Sequence, residues 1–288
     1  MISDLSQEQN TDSPAVKKKR RFFKFIKLIF IMVAGFVVFS VSAVVIYRFV
    51  PVPYTPLMFW KSTVSIFEGN FVGIEKKWVP LESIARPMQN AVIKAEDAKF
   101  YIHNGFDFEA IEKAMKYNKT HKKKKGASTI SQQTAKNVFL WPARSWLRKG
   151  MEVYFTVLIE NLWDKKRILE VYLNVIELGP GVYGVEAAAQ KYFHKKARKL
   201  SNAEAALMAA VLPNPIKFKI SKPSAYIQRR QRKILGRSAI AVAPKPELKA
   251  EDSALETKEF FDIKFDEDDE DKGPEKGVES DDPTPANE

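Results

Sequence analysis

The segment KAEDAKFYIHNGFD places two adjacent carboxylates, Glu96 and Asp97, seven and six residues before His103. A carboxylate whose pKa suits the working pH can act as a general base toward a hydroxyl group. The same pair could equally be a solvated charge cluster where a helix ends, because Asn104 and Gly105 form a typical turn sequence. The residue types alone leave both interpretations open.

Two further segments could bind an anion. Arg148 and Glu152 are four residues apart, so they share a helix face, as an exposed ion pair or as a cationic clamp that a carboxylate orients. The segment GASTISQQTAKN places two glutamines and Lys136 near the start of a predicted helix, where free backbone N–H groups can bind anions. An ordinary capped amphipathic helix would have the same pattern.

The composition excludes several kinds of chemistry. The chain of 288 residues has no cysteine, which excludes a disulfide framework, a thiol nucleophile and cysteine metal sites. Its three histidines, His103, His121 and His194, are too few to favour a histidine-rich metal site.

An uncharged apolar run at residues 28–47 predicts a transmembrane helix. Seven Lys or Arg residues lie between Lys17 and Lys27, which predicts that residues 1–27 are cytoplasmic and that the chain after the helix is outside. A cleaved signal peptide is the alternative, since Ser40 and Ser42 are small enough for a cleavage site.

The charge is distributed unevenly along the chain. The whole chain carries +12 and residues 251–288 carry −12, so residues 1–250 carry +24. A cationic domain outside the cytoplasm favours lipid phosphate or pyrophosphate as its partner over nucleic acid. We expect a folded extracytoplasmic domain over residues 48–238 and a disordered acidic tail over 239–288.

Helical signals dominate the predicted domain. A helix after Arg86 should end near Glu96, and three further helices should begin at the N-caps Asp107, Asp164 and Ser201. Thr129 and Gln132 have the spacing of a capping box. A longer helix over Trp146–Trp163 has a predicted buried stripe of Leu147, Met151, Tyr154, Phe155, Leu158 and Leu162. No strand pattern competes, so the fold class is mostly α.

Four segments, in this order, resemble the motifs of the peptidoglycan glycosyltransferase family. That family includes the monofunctional biosynthetic transglycosylases and the matching domain of class A penicillin-binding proteins. The first two motifs match Glu96, Asp97, Phe100, His103, Gly105 and Asp107, and then Gly126, Ser128, Thr129, Ile130, Gln132, Gln133, Lys136 and Asn137. The other two match Arg148, Lys149 and Glu152, and then residues 168–174. The resemblance covers roughly residues 75–220.

The resemblance implies a lysozyme-like, mostly helical domain with a small jaw region beside the membrane. It implies an inverting enzyme that polymerises lipid II into β-1,4-linked glycan strands and releases undecaprenyl pyrophosphate, at the bacterial inner membrane with its catalytic domain in the periplasm. The implied partners are lipid II, the lipid-linked strand, the membrane and other cell-wall synthesis proteins, but not nucleic acid. The sequence has no Ser-x-x-Lys motif, so no transpeptidase activity is expected.

By the same resemblance, Glu96 is the general base, and Asp97 beside it would raise its basicity. The substrate and its pyrophosphate would be bound by Lys136, Arg144, Arg148, Lys149, Ser128, Gln132 and Gln133. Glu152 would orient these cations or help to hold a divalent cation, Mg²⁺ or Mn²⁺, and no other cofactor is implied. Supporting roles fall to Phe100, His103, Gly105 and Asn137, with His103 interpreted as structural.

Two other functions fit parts of the pattern. A degradative lysozyme-like hydrolase would share the fold and a catalytic glutamate, but it would not need the cationic set and usually requires a general acid. A membrane-anchored scaffold without enzymatic activity would use its basic domain and acidic tail to recruit partners.

Overall fold

The computed structural model describes residues 14–69, 71–122, 124–142 and 145–240. Arg144 and the chain from residue 241 onward lie outside these ranges, so the predictions for Arg144 and for the acidic tail concern residues that are not described. The mostly α prediction is confirmed for the described chain. Its α-helices are α1 (Pro14–Phe49), α2 (Pro56–Phe67), α3 (Arg86–Glu96), α4 (Phe108–Thr120), α5 (Ile130–Phe139), α6 (Trp146–Leu162), α7 (Lys165–Val175), α8 (Val185–Phe193), α9 (Asn202–Val211) and α10 (Ala225–Ile240).

The N-terminal signals of several helices act as the sequence predicts. Asp107, Asp164 and Ser201 each accept a hydrogen bond from a backbone N–H in the first turn of α4, α7 and α9. Thr129 and Gln132 form the reciprocal capping box at the start of α5. Such caps satisfy N–H groups that have no partner inside the helix, and each stabilises its helix by about 1 kcal/mol.

Helix α1 is longer than the predicted span of residues 28–47, and its section Phe22–Phe49 is long and apolar enough to cross a membrane. The last part of α1 also packs on the domain. Ser40 lies 2.7 Å from the Tyr154 hydroxyl, and the indole N–H of Trp163 donates to the Val44 carbonyl at 2.8 Å. Arg167 donates to the carbonyls of Tyr47 and Val50, which lie at the helix end and lack intrahelical partners. The domain is therefore fixed to the C-terminal end of α1.

The remaining helices form one hydrophobic core. Helix α5 packs between α6 and α7, while α3 packs on α9 and α10. Helix α3 buries Met88, Ala91 and Val92 at helical spacing, which directs its C-terminus toward α5. The C-terminus of α3 thus meets the N-terminus of α5, and α3, α5 and α6 carry Glu96, Lys136 and Arg148 among the predicted site residues.

The structure contains a small sheet that the sequence analysis missed. Strand β1 (Glu75–Lys76) pairs in parallel with β3 (Val182–Tyr183), and β2 (Glu177–Gly179) pairs antiparallel with β3. Strands of two or three residues are too short for an alternating pattern to be visible. At the turn between β2 and β3, Gly181 has φ +70° and its Cα approaches the Gly73 carbonyl, where a Cβ would be only 2.1 Å from that oxygen.

The predicted buried stripe of α6 is wrong in part. Leu147 is 70% exposed, whereas Glu152 and Thr156 are buried together with Phe155 and Ile159. The helix turns a polar side inward because that side contacts the site, where Glu152 meets two cations. Its apolar side carries Tyr154, which packs on Phe36 of α1.

Candidate active site

Glu96 is the last residue of α3, and its carboxylate has partners on two other helices. Gln133 of α5 donates from its side-chain amide to Glu96 Oε2 at 3.0 Å. Arg230 of α10 donates from Nη2 to Oε1 at 3.4 Å. The Glu96 side chain retains 14% exposure, so the carboxylate is held deep in the structure but remains accessible.

A hydrogen bond from Tyr172 fixes the orientation of the Gln133 side chain. Tyr172 of α7 is fully buried, and its hydroxyl donates to Gln133 Oε1 at 3.3 Å. Burial raises the pKa of Tyr172 well above its ordinary value, and the charges of Glu96 and Asp97 raise it further. The phenol therefore stays protonated and keeps donating. Because Oε1 is occupied as an acceptor, Gln133 presents its N–H group to Glu96.

Burial raises the pKa of Glu96 above its ordinary value. The charge of Arg230, the hydrogen bond from Gln133 and the charge of Lys136 act in the opposite direction. Asp97 also raises the pKa of Glu96, but it is the weakest of these influences. A more basic carboxylate is therefore present, mainly because of burial and only to a small extent because of the neighbour that the sequence analysis emphasised.

Asp97 has a structural environment of its own. Its Oδ2 accepts a hydrogen bond from the backbone N–H of Ile130, in the first turn of α5, at 3.0 Å. Its two oxygens lie 2.9 and 3.0 Å from Nε2 of His103. The N–H of Gly105 donates to Nδ1 of His103, so the imidazole carries its proton on Nε2 and donates it to Asp97. The N-terminus of α5, considered above as an anion site, is therefore occupied by an internal carboxylate.

The turn after His103 is constrained as tightly. Gly105 has φ +89°, and a Cβ there would lie 2.9 Å from Thr156 Cγ2. Its carbonyl accepts a hydrogen bond from the Thr129 hydroxyl at 2.7 Å. Two first-motif residues, His103 and Gly105, thus connect the end of α3 to the start of α5 and to α6.

A cationic cluster lies beside Glu96 on α5 and α6. Glu152 is buried, and its two oxygens pair with Arg148, at 2.9 Å, and with Lys149. The Arg148 Nε atom is buried and has no hydrogen-bond partner among the described residues. Burial lowers the pKa of Lys136, Glu152 opposes that effect, and Arg148, Lys61 and Lys149 lower it further. The cluster therefore contains more positively charged side chains than the single carboxylate of Glu152 can neutralise.

The other predicted site residues have different environments. Ser128 is exposed beside the start of α5, and Asn137 is partly buried on the same helix. Gln132 is buried, and its side chain accepts from the Thr129 N–H in the capping box, so it holds the helix start and does not face the cleft. Phe100 is fully buried, with the Lys165 ammonium group 4.8 Å from its ring centre.

Three residues of the site were not identified as site residues from the sequence. Arg230 and Lys61 belong to none of the four motifs, and Tyr172 lies in the fourth motif, to which no role was assigned. Arg230 lies 134 residues after Glu96 in the sequence, so no local pattern could identify the contact between them.

The residues do not form a protein-only metal site. Within the described ranges, no three metal-ligating side chains converge. Both oxygens of Glu152 are engaged by cations, so this carboxylate fits the role of orienting Arg148 and Lys149 better than that of a metal ligand.

The chain is similar to known proteins of one family. Residues 66–239 match the family model described as Transglycosylase. A biosynthetic peptidoglycan transglycosylase of Bdellovibrio bacteriovorus is 63% identical over 231 residues, which cover 80% of this chain and 90% of the relative. The protein of the same name from Pasteurella multocida is 56% identical over 202 residues, covering 70% and 82%. One from Escherichia coli is 49% identical over 223 residues, covering 76% and 92%. The chain belongs to the transglycosylase family.

Proposed function

We propose that this protein is a peptidoglycan glycosyltransferase that polymerises lipid II into β-1,4-linked glycan strands, with Glu96 as general base. One observation carries the proposal. Helix α5 carries both Lys136 and Gln133, which donates to Glu96 at 3.0 Å, and it packs on α6, where Arg148 and Lys149 pair with Glu152. A single basic carboxylate therefore stands next to a cationic cluster that could hold a pyrophosphate, which is the arrangement that transfer from a lipid-linked pyrophosphate donor requires.

The proposed chemical step is a direct displacement at the anomeric carbon. The 4-hydroxyl oxygen of the acceptor sugar forms a bond to the anomeric carbon of the donor strand, and the hydroxyl proton passes to Glu96. The bond from the anomeric carbon to the pyrophosphate oxygen breaks, and its electron pair leaves with the pyrophosphate. Attack opposite to the leaving group inverts the anomeric centre from α to β.

The cationic residues would stabilise the departing charge. Arg148 and Lys149, which share Glu152 on α6, and Lys136 on the adjacent α5 would supply this positive charge. Pyrophosphate is already a good leaving group, so the reaction needs no general acid to protonate it. Glu152 would keep the cations in place, and Gln133 and Arg230 would keep Glu96 aligned.

A degradative hydrolase is less well supported. A glycosidase normally uses two carboxyl groups on either side of the bond that it cleaves. The carboxylate next to Glu96 is Asp97, and both of its oxygens are occupied by His103 and the Ile130 N–H. Glu152 is likewise paired with two cations. The described residues therefore favour transfer from a charged donor over hydrolysis of a neutral glycan.

The proposed location of the protein rests on the basic residues that precede the apolar part of α1. We infer that α1 is a single-pass anchor with its basic N-terminal side in the cytoplasm and the domain in the periplasm, at the inner membrane. The seven Lys or Arg residues from Lys17 to Lys27 support this orientation. A lipid-linked substrate would then reach the site without leaving the membrane. We propose other cell-wall synthesis proteins as partners in the same compartment.

Incubation of the purified full chain with lipid II tests the proposal. We expect glycan polymer to form, with one undecaprenyl pyrophosphate released for each glycosyl transfer. Fragmentation of preformed glycan, with no polymer from lipid II, would instead support the hydrolase. If neither reaction occurred although the protein was folded, the scaffold interpretation would replace both.

A further inference from the structure

A cavity of about 210 Å³ lies between α2 and the turn that joins β2 to β3. Lys61, Ser62 and Ser65 of α2 contribute its polar groups, together with Glu177 and Tyr183. Its apolar lining consists of Met58, Val72, Ile74, Pro180 and Ile216. None of the motifs described above includes these residues.

The polar groups of this cavity already have partners within the protein. The Ser62 hydroxyl donates to the Val72 carbonyl at 3.1 Å, and the Ser65 hydroxyl accepts from the Val72 N–H at 3.0 Å. Lys61 and Glu177 form an ion pair. A sugar or peptide entering the cavity would find few free hydrogen-bonding groups, whereas a hydrocarbon would find apolar surface.

The Tyr183 hydroxyl is also engaged. Burial raises the pKa of Tyr183, and the charge of Glu177 and a hydrogen bond to it raise that pKa further. The phenol therefore remains protonated and bonded to Glu177. The mouth of the cavity thus carries a neutral ion pair and a neutral phenol, and no net charge that would repel an apolar chain.

The position of the cavity connects the cationic cluster with the membrane. On one side, α2, which carries Lys61, packs on α5, which carries Lys136 of the cationic cluster. On the other side, the outward face of α2 is apolar and exposed at Phe59, Trp60, Ile66 and Phe67. Only residues 50–55 separate α2 from the anchor helix, so this aromatic face lies where the end of the anchor helix meets the membrane surface.

We propose that this cavity binds the prenyl segment next to the pyrophosphate of the lipid-linked substrate, with Lys61 at its mouth. The proposal rests on the proposed function and adds a site for the lipid part of the substrate. An apolar cavity of about 150 Å³ can hold a benzene molecule, so this one can hold roughly one to two five-carbon isoprene units. The chain would continue from the cavity past α2 into the bilayer.

Two water-soluble probes with the same head group test the site. Methyl pyrophosphate and geranyl pyrophosphate differ only in the hydrocarbon, and their affinities for the detergent-solubilised full chain can be measured by titration calorimetry. We expect geranyl pyrophosphate to bind at least about tenfold tighter, because it buries apolar surface that the methyl compound lacks. Equal affinities would overturn the prenyl site alone. Failure of methyl pyrophosphate to bind would contradict the cationic cluster itself, and with it the proposed function.

A matched pair of variants tests whether the tighter binding of geranyl pyrophosphate depends on the cavity. Ile216 lines the cavity and is 50% exposed, whereas Ile66 is 56% exposed on the outer face of α2 and does not line it. Ile216→Trp should remove most of the tenfold preference for the geranyl compound, and Ile66→Trp should keep it. Unchanged binding of methyl pyrophosphate shows that each variant is folded with an intact cationic cluster. A full preference retained in Ile216→Trp would overturn the proposal.

Discussion

Replacement of Arg230 by methionine should displace the acidic limb of the pH–rate profile to higher pH. Arg230 and Glu96 are 3.4 Å apart, and their side chains are only 9% and 14% exposed. Among the groups that lower the pKa of Glu96, Arg230 has the largest effect. Without it, Glu96 keeps its proton up to a higher pH, so less of the base form is present on the acidic side.

The size of the effect follows from the distance between the two charges. At an effective dielectric constant of about 20, two unit charges 3.4 Å apart attract by about 5 kcal/mol. If relaxation and entering water cancel three quarters of this, the remaining ~1.3 kcal/mol still changes the proton affinity of Glu96 about tenfold. We therefore expect kcat/KM on the acidic limb to fall at least about tenfold at a given pH and to recover as the pH rises.

The assay is the pH dependence of kcat/KM for lipid II polymerisation, which reports groups of the free enzyme. Arg232→Met is the matched control, since Arg232 is exposed on the same helix and its loss changes the net charge equally. The control should leave the limb in place. An Arg230→Met limb that coincides with that of the wild-type enzyme would refute the reasoning, and an equal loss at every pH would show that Arg230 acts only through the fold.

Three further changes test the surroundings of the base. Gly105→Ala should lower the free energy of unfolding by about 1–3 kcal/mol, measured by thermal denaturation, because φ is +89° and the new Cβ would lie 2.9 Å from Thr156; unchanged stability would contradict the constrained turn. Asp97→Asn should destabilise the protein by about 1–3 kcal/mol in the same assay, since it removes the carboxylate bonded to the Ile130 N–H; a loss of activity with no loss of stability would instead indicate a direct catalytic role. Glu152→Gln should reduce kcat/KM for lipid II about 10²-fold, because two cations lose their buried counter-charge; near-normal turnover would show that the cations need no orientation.

Much of the local structure could be predicted because it depends on neighbours in the sequence. The caps at Asp107, Asp164 and Ser201 and the capping box at Thr129 are signals within four residues, and each forms. The end of α3 at Glu96 could be predicted for the same reason.

Contacts between distant segments could not be predicted in this way. The pairing of Glu152 with Arg148 and Lys149 is local, but the packing of that side of α6 against α5 is not, and this packing outweighs the apolar periodicity of the helix. The sequence gives no indication that Asp97 is directed to the N-terminus of α5, although its role as a close neighbour of the base was expected. The two adjacent carboxylates therefore have different environments, since Asp97 binds the Ile130 N–H at the start of α5 whereas Glu96 meets Gln133 and Arg230.

The central claim is that Glu96 is the base in a site whose fold does not depend on it. The most direct test measures lipid II polymerisation and the free energy of unfolding of Glu96→Gln together. Because burial raises the pKa of Glu96, the ionised carboxylate costs stability above its unfolded pKa, so its replacement should not lower the stability at neutral pH. We predict a loss of turnover of about 10²–10⁴-fold with equal or higher stability. Near-normal polymerisation by this folded variant would contradict the account.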